Sequence, residues 1–188
     1  MKLDVDHKVV GAVPDHLIQA ILDVIDENDW RVSDYRNKAG NMGDTHSIPI
    51  MHTPLCFSGY CDMRPVNDIR PEPLYDKYHP VVKPVLDILG QHYEYAKYAA
   101  FLAYLKPRGV IGLHPDSGHF LTLCHRIHVP LLTNPGVAYV IEDNEYYWER
   151  GKIYEFDNTR VHGVANRSDE PRIHLVVNLY PESELANA

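Results

Sequence analysis

Three short runs of aliphatic and aromatic residues follow one another in KIYEFDNTRVHGVANRSDEPRIHLVVNLY, residues 152–180, and turn-forming Asp, Asn and Pro separate them. Three similar runs lie earlier in the chain, at 98–106, 125–132 and 136–142. Six runs of strand length with no helical pattern among them predict an antiparallel β-sandwich or a small barrel. A jelly roll is the natural form of such a barrel in a chain of 188 residues.

Two helical patterns precede this β-rich part. Residues 13–30 carry apolar side chains at helical spacing, and Pro14 and Asp15 suit the start of a helix. Residues 79–96 repeat the spacing, and Pro84 is expected in the first turn, where its missing N–H is tolerated. The fold class predicted for the chain is therefore mainly β with flanking helices.

Composition narrows the range of partners and compartments. The chain has 26 acidic and 18 basic residues and a net charge of −8, which argues against nucleic acid or an anionic membrane as the main partner. The sequence contains no signal-peptide core and no apolar run of about 20 residues. Because Cys56, Cys61 and Cys124 form no disulfide framework, we expect a cytoplasmic protein.

The runs HRIHVPLL and RIHLVVNLY each combine an aliphatic face with a polar one. Strand alternation places Arg126 and His128 opposite the aliphatic side chains of the first run, and Arg172 and His174 opposite those of the second. If the aliphatic faces pack between the sheets, the polar faces are exposed to solvent. In the alternative arrangement the barrel has a polar interior that holds an anionic ligand. Two arginines on stiff strands suit a carboxylate, because guanidinium offers a rigid fork of donors.

A metal-ligand pattern lies in VIGLHPDSGHF (110–120) and in the later EFDNTRVHGVAN (155–166). His114 and Asp116 are two residues apart at a predicted strand end, so that their side chains can aim at one point. His162 opens a strand that is distant in the sequence but adjacent in a jelly roll. Two imidazoles and one carboxylate form the facial triad of non-haem Fe(II) oxygenases, which leaves positions on the metal open.

From about Tyr98 to Pro181 the chain resembles the aspartyl/asparaginyl β-hydroxylase-like branch of the Fe(II)/2-oxoglutarate-dependent dioxygenases. The resemblance rests on YLKPRGVIGLHPD, CHRIHVPLLTNPGV, WERGKIYEFDNTRVHGVANRS and RIHLVVNLYP. It implies a double-stranded β-helix (jelly roll, cupin-like) and a hydroxylase that uses Fe(II), O₂ and 2-oxoglutarate as cosubstrate. The implied reaction hydroxylates an amino acid or an amino-acid side chain of the Asp, Asn or Pro type. It is coupled to decarboxylation of 2-oxoglutarate to succinate.

The same resemblance implies the residues of the site. The iron ligands, which are also the catalytic residues, are His114, Asp116 and His162. The residues that bind 2-oxoglutarate are Arg172, which grips its distal carboxylate, and Arg126 and His128 on the adjacent strand. A free amino acid and a peptide or protein side chain are both compatible substrates.

One domain is predicted over residues 1–188. The catalytic β-roll occupies 97–181, and 1–96 is expected to form a helical or irregular support that includes the substrate wall. Strand-like pieces lie within this support around 47–51 and 55–60. The secretory enzymes of the branch lack a carboxylate at the position of Asp116. Its presence in this chain favours the small soluble members.

Two alternatives from other classes stay open. A cupin-like protein that binds a metal or a small anion, or acts as a sensor, would share the β-roll without oxygen chemistry. A metal-dependent isomerase or hydrolase would share the triad. Arg172, which follows His162 by ten residues, favours the oxygenase, since a zinc hydrolase needs no buried carboxylate clamp. Tyr104, Trp148 and His174 are further candidates for the pocket wall, although aromatic residues in strands usually belong to the core.

Overall fold

The computed structural model describes residues 3–32, 43–52, 66–117 and 119–185. Within these ranges eleven strands form two antiparallel sheets. The strands are β1 (His7–Ala12), β2 (Thr45–His52), β3 (Arg70–Pro71), β4 (Lys97–Leu105), β5 (Val110–His114), β6 (His125–Leu132), β7 (Val137–Ile141), β8 (Asn144–Tyr146), β9 (Lys152–Phe156), β10 (His162–Asn166) and β11 (Arg172–Tyr180).

The two sheets face each other. The larger sheet has the strand order β1-β9-β6-β11-β4-β2-β3, and the smaller has the order β5-β10-β7-β8. Side chains from both pack in one cluster between them, including Leu105 and Phe156 from the larger sheet and Ile111 and Tyr139 from the smaller. The predicted mainly β architecture is confirmed.

Two helices, α1 (Asp15–Asp23) and α2 (Tyr75–Leu89), cover the outer face of the larger sheet. Ile18 of α1 and Val85 of α2 share one core with Ile127 of β6 and Leu175 of β11. The aliphatic faces of β6 and β11 therefore pack against helices, and their polar faces turn towards the smaller sheet. Single-turn helices lie at Glu27–Arg31, Val66–Asp68, His119–Thr122 and Glu182–Leu185.

The start of α2 differs from the sequence prediction. The helix begins at Tyr75, so Pro84 lies in its third turn and not in its first, and Pro80 is also inside the helix. Each proline removes a backbone hydrogen bond, yet Tyr78 and Val82 are fully buried on the stripe that faces the sheet. The free energy gained by burying this stripe offsets the missing hydrogen bonds. A sequence-based expectation for where proline occurs in a helix does not include this packing contribution.

The part of the chain before residue 97 contributes strands as well as helices. β1 pairs with β9 and β2 pairs with β4, so both extend the larger sheet. The predicted piece at 47–51 lies inside β2, whereas the piece at 55–60 lies outside the described residues. The expectation of a helical or irregular support omits β1, which is short and has no fully buried residue. No helix in the described ranges is both long and apolar enough to cross a membrane.

Glu155 of β9 ties several elements together on the outer face of the larger sheet, where its side chain is buried. Its carboxylate accepts hydrogen bonds from Nδ1 of His125 on β6 (2.6 Å) and from the hydroxyl of Tyr93 (2.7 Å). It also forms an ion pair with Lys8 of β1 at 2.7 Å. Burial alone would raise the pKa of Glu155, but these three partners hold that pKa at about 2. The ionised carboxylate thus anchors β1 to the sheet.

We expect Glu155→Gln to lower the free energy of unfolding by about 2 kcal/mol at pH 7, because Lys8 loses its counter-charge and the hydrogen bonds from His125 and Tyr93 lose their charged acceptor. The folded-state pKa of Glu155 lies below its ordinary value. This contribution to stability is therefore complete above about pH 5 and is lost as the pH falls towards 2. Urea unfolding at pH 7 and pH 3 measures both effects, with the exposed Glu94→Gln as control. An equal loss at the two pH values would contradict this role.

Candidate active site

The three predicted metal ligands lie together at one end of the smaller sheet. His114 is the last residue of β5 and His162 the first of β10, and the two are directly opposite each other in the strand register. Asp116 follows two residues after β5, with its Oδ1 3.7 Å from Nε2 of His114. One ligand atom from each of the three lies within 4.8 Å of the others. Residues separated by nearly fifty positions are thus brought to one point.

Backbone carbonyls orient both imidazoles. Nδ1 of His114 lies 2.7 Å from the carbonyl oxygen of Gly112, and Nδ1 of His162 lies 2.8 Å from that of Arg160. Because a carbonyl oxygen only accepts, Nδ1 carries the proton in each ring and Nε2 keeps a lone pair. This is the tautomer that binds a metal through Nε2.

Asp116 is held by Asn158 from the turn before β10. The side-chain amide of Asn158 donates to Oδ2 of Asp116 at 3.0 Å, and its backbone carbonyl accepts from the N–H of Asp116 at 2.8 Å. Burial opposes ionisation of Asp116, but the charge of Arg126, the neighbouring His162 and the bond from Asn158 together lower its pKa. Oδ2 is thereby engaged, and Oδ1 faces His114.

His162 is kept in its neutral form. Burial lowers the pKa of His162, and the nearby carboxylate of Asp116 opposes this shift only in part. A neutral imidazole is the form that coordinates a metal. Two imidazole nitrogens and one carboxylate oxygen form a donor set suited to Fe(II), so the residues present fit that ion.

A cavity opens between the sheets next to this cluster, and its empty space including the open mouth is about 420 Å³. It is lined by Ala103, Ile111, His114, Asp116, Arg126, His128, Tyr139, Phe156, His162, Val164, Arg172 and Val176. The structure therefore brings all six predicted site residues to one cavity. The polar faces of β6 and β11 point inward, which excludes the solvent-exposed arrangement.

Arg172 is a deeply buried cation in the cavity wall, with 2% of its surface exposed. Its guanidinium donates to the hydroxyl of Tyr139 and, at 3.4 Å, to the carbonyl oxygen of Ala103. The Tyr139 hydroxyl also lies 3.3 Å from Nδ1 of His128 and 3.2 Å from Nδ1 of His174. A polar network thus fixes the position of the guanidinium.

Arg126 connects the carboxylate cluster to the larger sheet. Its Nη2 lies 3.4 Å from Oδ2 of Asp116, and its Nη1 donates to Oδ1 of Asn178 on β11 at 2.9 Å. Its buried Nε has no hydrogen-bond partner among the described residues. Arg126 therefore neutralises Asp116 from the wall of the cavity.

The three further wall candidates lie elsewhere. Trp148 stacks between Tyr139 and Tyr154, with ring centroids 3.8 and 4.6 Å apart. Tyr104 packs on the outer face of the larger sheet, and His174 stacks on Tyr139. In the described part of the chain the cavity lining includes none of the three. Trp148 and His174 pack against Tyr139 of the lining, and Tyr104 belongs to the core of the outer face.

Sequence reasoning missed Tyr139 and Asn158 as site residues. Strand alternation in GVAYVIE places Tyr139 on the same face as Val137 and Ile141, so an inward position was deducible. Its contact with Arg172 was not, because that contact depends on how the two sheets face each other. Asn158 lies in a turn, where Asn is common for local reasons, and no local signal indicates its bond to Asp116.

A family model described as aspartyl/asparaginyl β-hydroxylase matches residues 75–181, which is more than half of the chain. The chain belongs to this family. It is an Fe(II)/2-oxoglutarate-dependent dioxygenase, with Fe(II), 2-oxoglutarate and O₂ as its cofactors and cosubstrates. The resemblance found in the sequence is confirmed. No curated protein matches the chain.

Two solved structures share the fold over nearly the whole chain. A viral collagen prolyl hydroxylase from Paramecium Bursaria Chlorella virus-1, in complex with 2OG, is 12% identical with a TM-score of 0.54, covering 95% of this chain and 97% of its own. An oxidoreductase of the 2OG-Fe(II) oxygenase family from Burkholderia pseudomallei is 14% identical with a TM-score of 0.53, covering 89% and 90%. The predicted double-stranded β-helix is confirmed for this family member.

Proposed function

We propose that the protein hydroxylates an amino acid or an amino-acid side chain of the Asp, Asn or Pro type and couples this to decarboxylation of 2-oxoglutarate to succinate. The observation that carries the proposal is the convergence of His114, Asp116 and His162 at a cavity that Arg172 also lines. The description of the family supports an Asp or Asn substrate. The activity named for the viral structure, prolyl hydroxylation, supports including proline among the proposed substrate types.

His114, Asp116 and His162 would hold the iron. Their donor atoms lie on one side of the site and face the cavity, which leaves other positions of the metal accessible. Bound Fe(II), with O₂ and 2-oxoglutarate, supplies the oxidation of an unactivated C–H bond. Asn158 and Arg126 keep Asp116 ionised and fixed, and the carbonyl oxygens bound to Nδ1 keep both imidazoles aimed at one point.

Arg172 would bind the distal carboxylate of 2-oxoglutarate. A guanidinium that is buried, aligned by Tyr139 and open to the cavity can form paired charge-assisted hydrogen bonds with a carboxylate. Arg126 and His128, which line the same cavity, would contact the same cosubstrate from β6. Phe156, Val164 and neighbouring apolar residues of the lining limit the access of water.

We also propose that residues 1–188 form one catalytic domain, in which 97–181 is the β-roll and 1–96 the support and substrate wall. The net charge of −8 argues against a nucleic-acid or membrane partner, and the three sparse cysteines support a cytoplasmic enzyme. The shared sheet supports a single domain, since β1 and β2 of the first part pair with β9 and β4 of the second.

The decisive experiment is an anaerobic titration of the metal-free protein with Fe(II) and then 2-oxoglutarate, followed by visible absorption. The proposal expects the charge-transfer band of the chelate, and then succinate release when free amino acids and short peptides containing Asp, Asn or Pro are screened with O₂. Iron binding without the band would contradict the cosubstrate site. A band with succinate release that no member of the substrate panel stimulates would contradict the substrate class.

We expect Tyr139→Phe to raise the Kd for 2-oxoglutarate about tenfold, because the Arg172 guanidinium loses the hydroxyl that aligns it. The affinity for Fe(II) should stay close to that of the wild type. Tyr154→Phe is the matched control, since among the described residues the Tyr154 hydroxyl accepts a hydrogen bond from the N–H of Glu149 and lies outside the cavity lining. Equal Kd values for the two variants would show that the Tyr139 hydroxyl has no such role.

A further inference from the structure

The turn at residues 157–160, between β9 and β10, holds two of the proposed metal ligands. Asn158 binds Asp116 through both its side chain and its backbone. The carbonyl oxygen of Arg160 accepts the hydrogen bond from Nδ1 of His162. The position of this turn therefore sets the direction of one imidazole and one carboxylate.

Leu3 and Asp6, near the start of the described chain, contact this turn. The carboxylate of Asp6 forms an ion pair with the guanidinium of Arg160. Asp6 also accepts hydrogen bonds from Tyr146 at 2.6 Å and Asn144 at 3.1 Å, both on β8. The N–H of Leu3 lies 3.4 Å from Oδ2 of Asp157. The N-terminal segment, residues 3–12, thus contacts both β8 and the turn.

Arg160 contacts both this segment and one of the proposed metal ligands. Its side chain is fixed by Asp6, and its carbonyl oxygen is fixed against His162. The hydrogen bond from Tyr146, together with the bond from Asn144 and the charge of Arg160, outweighs burial and lowers the pKa of Asp6. The pair is therefore a carboxylate and a guanidinium at neutral pH. The residue whose side chain is held by Asp6 thus also supplies the carbonyl oxygen that orients the imidazole.

We infer that Asp6 and Arg160 are positioning residues for the metal site, acting through the turn at 157–160 on His162 and Asp116. The inference rests on the proposed function, because it takes these two residues as ligands. It assigns the N-terminal segment, which lies outside the matched family region, a part in metal binding. Loss of a group that orients a ligand lowers metal affinity by about 10- to 100-fold.

The test measures binding of Co(II), as a spectroscopic substitute for Fe(II), to the full-length metal-free protein by visible absorption. We expect Asp6→Asn and Arg160→Gln each to raise the Kd for Co(II) about tenfold and to change the d–d spectrum. Arg160→Lys, which keeps the charge, should recover most of the affinity and the wild-type spectrum. These readouts report on the ligands directly and do not depend on turnover.

Two controls separate positioning from general loosening. Asp4→Asn makes the same charge change at an exposed position of the segment. Lys8→Gln removes another ion pair of the segment, the one with Glu155 of β9, which is not part of the turn. Both controls should keep the wild-type Kd and spectrum, and thermal unfolding of every variant records any loss of stability.

Each outcome bears on one claim. A wild-type protein that binds no Co(II) would overturn the metal site and the inference with it. Tight binding by the wild type with an unchanged Kd and spectrum in Asp6→Asn would overturn the inference alone. The same follows if Lys8→Gln weakens binding as much as Asp6→Asn does. If Asp6→Asn does not fold, the difference between Arg160→Gln and Arg160→Lys decides, and equal affinities for these two would overturn it.

Discussion

Asp116→Ala is expected to weaken Fe(II) binding by about 100-fold or more, because losing even a partner that orients a ligand costs about 10- to 100-fold. The substitution removes the carboxylate from the cluster of described ligand atoms. It also leaves the buried guanidinium of Arg126 without the carboxylate 3.4 Å away. Two imidazoles beside an unbalanced cation form a poor site for a divalent ion. Iron content after anaerobic reconstitution, together with succinate formation, measures the effect.

Asp116→Asn separates the charge of this residue from its shape. The amide retains an oxygen that can accept from Asn158 but has no negative charge, so we expect a loss of iron affinity between those of the wild type and the alanine variant. Asp143→Ala, at an exposed position after β7, should bind iron like the wild type. Wild-type iron content and succinate formation in Asp116→Ala would show that the metal lies elsewhere.

Much of the fold could be predicted because it follows from side-chain alternation. In β11 every second residue is aliphatic, and this alone fixes which face carries Arg172 and His174. The apolar stripes of the two helices cover that aliphatic face. The strand-end spacing of His114 and Asp116 was equally local. The facial triad was predictable because jelly-roll topology brings the His162 strand alongside.

Features that depend on contacts between distant residues could not be predicted. The bond between Tyr139 and Arg172 joins residues on two different sheets. The pair formed by Asp6 and Arg160 joins the first strand region to a turn near the far end of the chain. Neither pair has a spacing or a pattern that distinguishes it from surface polar residues. Their partners are known only once the sheets are stacked, and the same holds for the burial that allows Pro84 inside a helix.

Arg172→Met is expected to raise the Kd for 2-oxoglutarate about 100-fold while leaving Fe(II) affinity close to that of the wild type. Two charge-assisted hydrogen bonds to a carboxylate are lost, at about 1.5 kcal/mol or more each, and about 2.8 kcal/mol corresponds to a factor of 100. Methionine fills the buried position of Arg172 with an apolar chain, so the wall of the cavity should persist. Titration of the Fe(II) protein with 2-oxoglutarate measures the effect.

Arg172→Lys tests whether the fork of donors matters in addition to the charge. We expect an intermediate Kd, since ammonium keeps the charge but cannot bind a carboxylate in the bidentate manner of guanidinium. Arg167→Met removes an arginine whose ion pair with Glu145 is exposed and should behave like the wild type.

The cavity contains a second arginine, and the same variants distinguish between the two. The charge of Arg126 is shared with Asp116 at 3.4 Å, so an added carboxylate would compete with Asp116 for it. Arg172 lines the cavity with its guanidinium aligned by the Tyr139 hydroxyl, which makes it the better clamp. An unchanged Kd for 2-oxoglutarate in Arg172→Met would transfer the clamp to Arg126. Since Arg126 also neutralises Asp116, cosubstrate and metal affinity would then have to fall together in an Arg126→Met variant, whereas a clamp at Arg172 loses only the first.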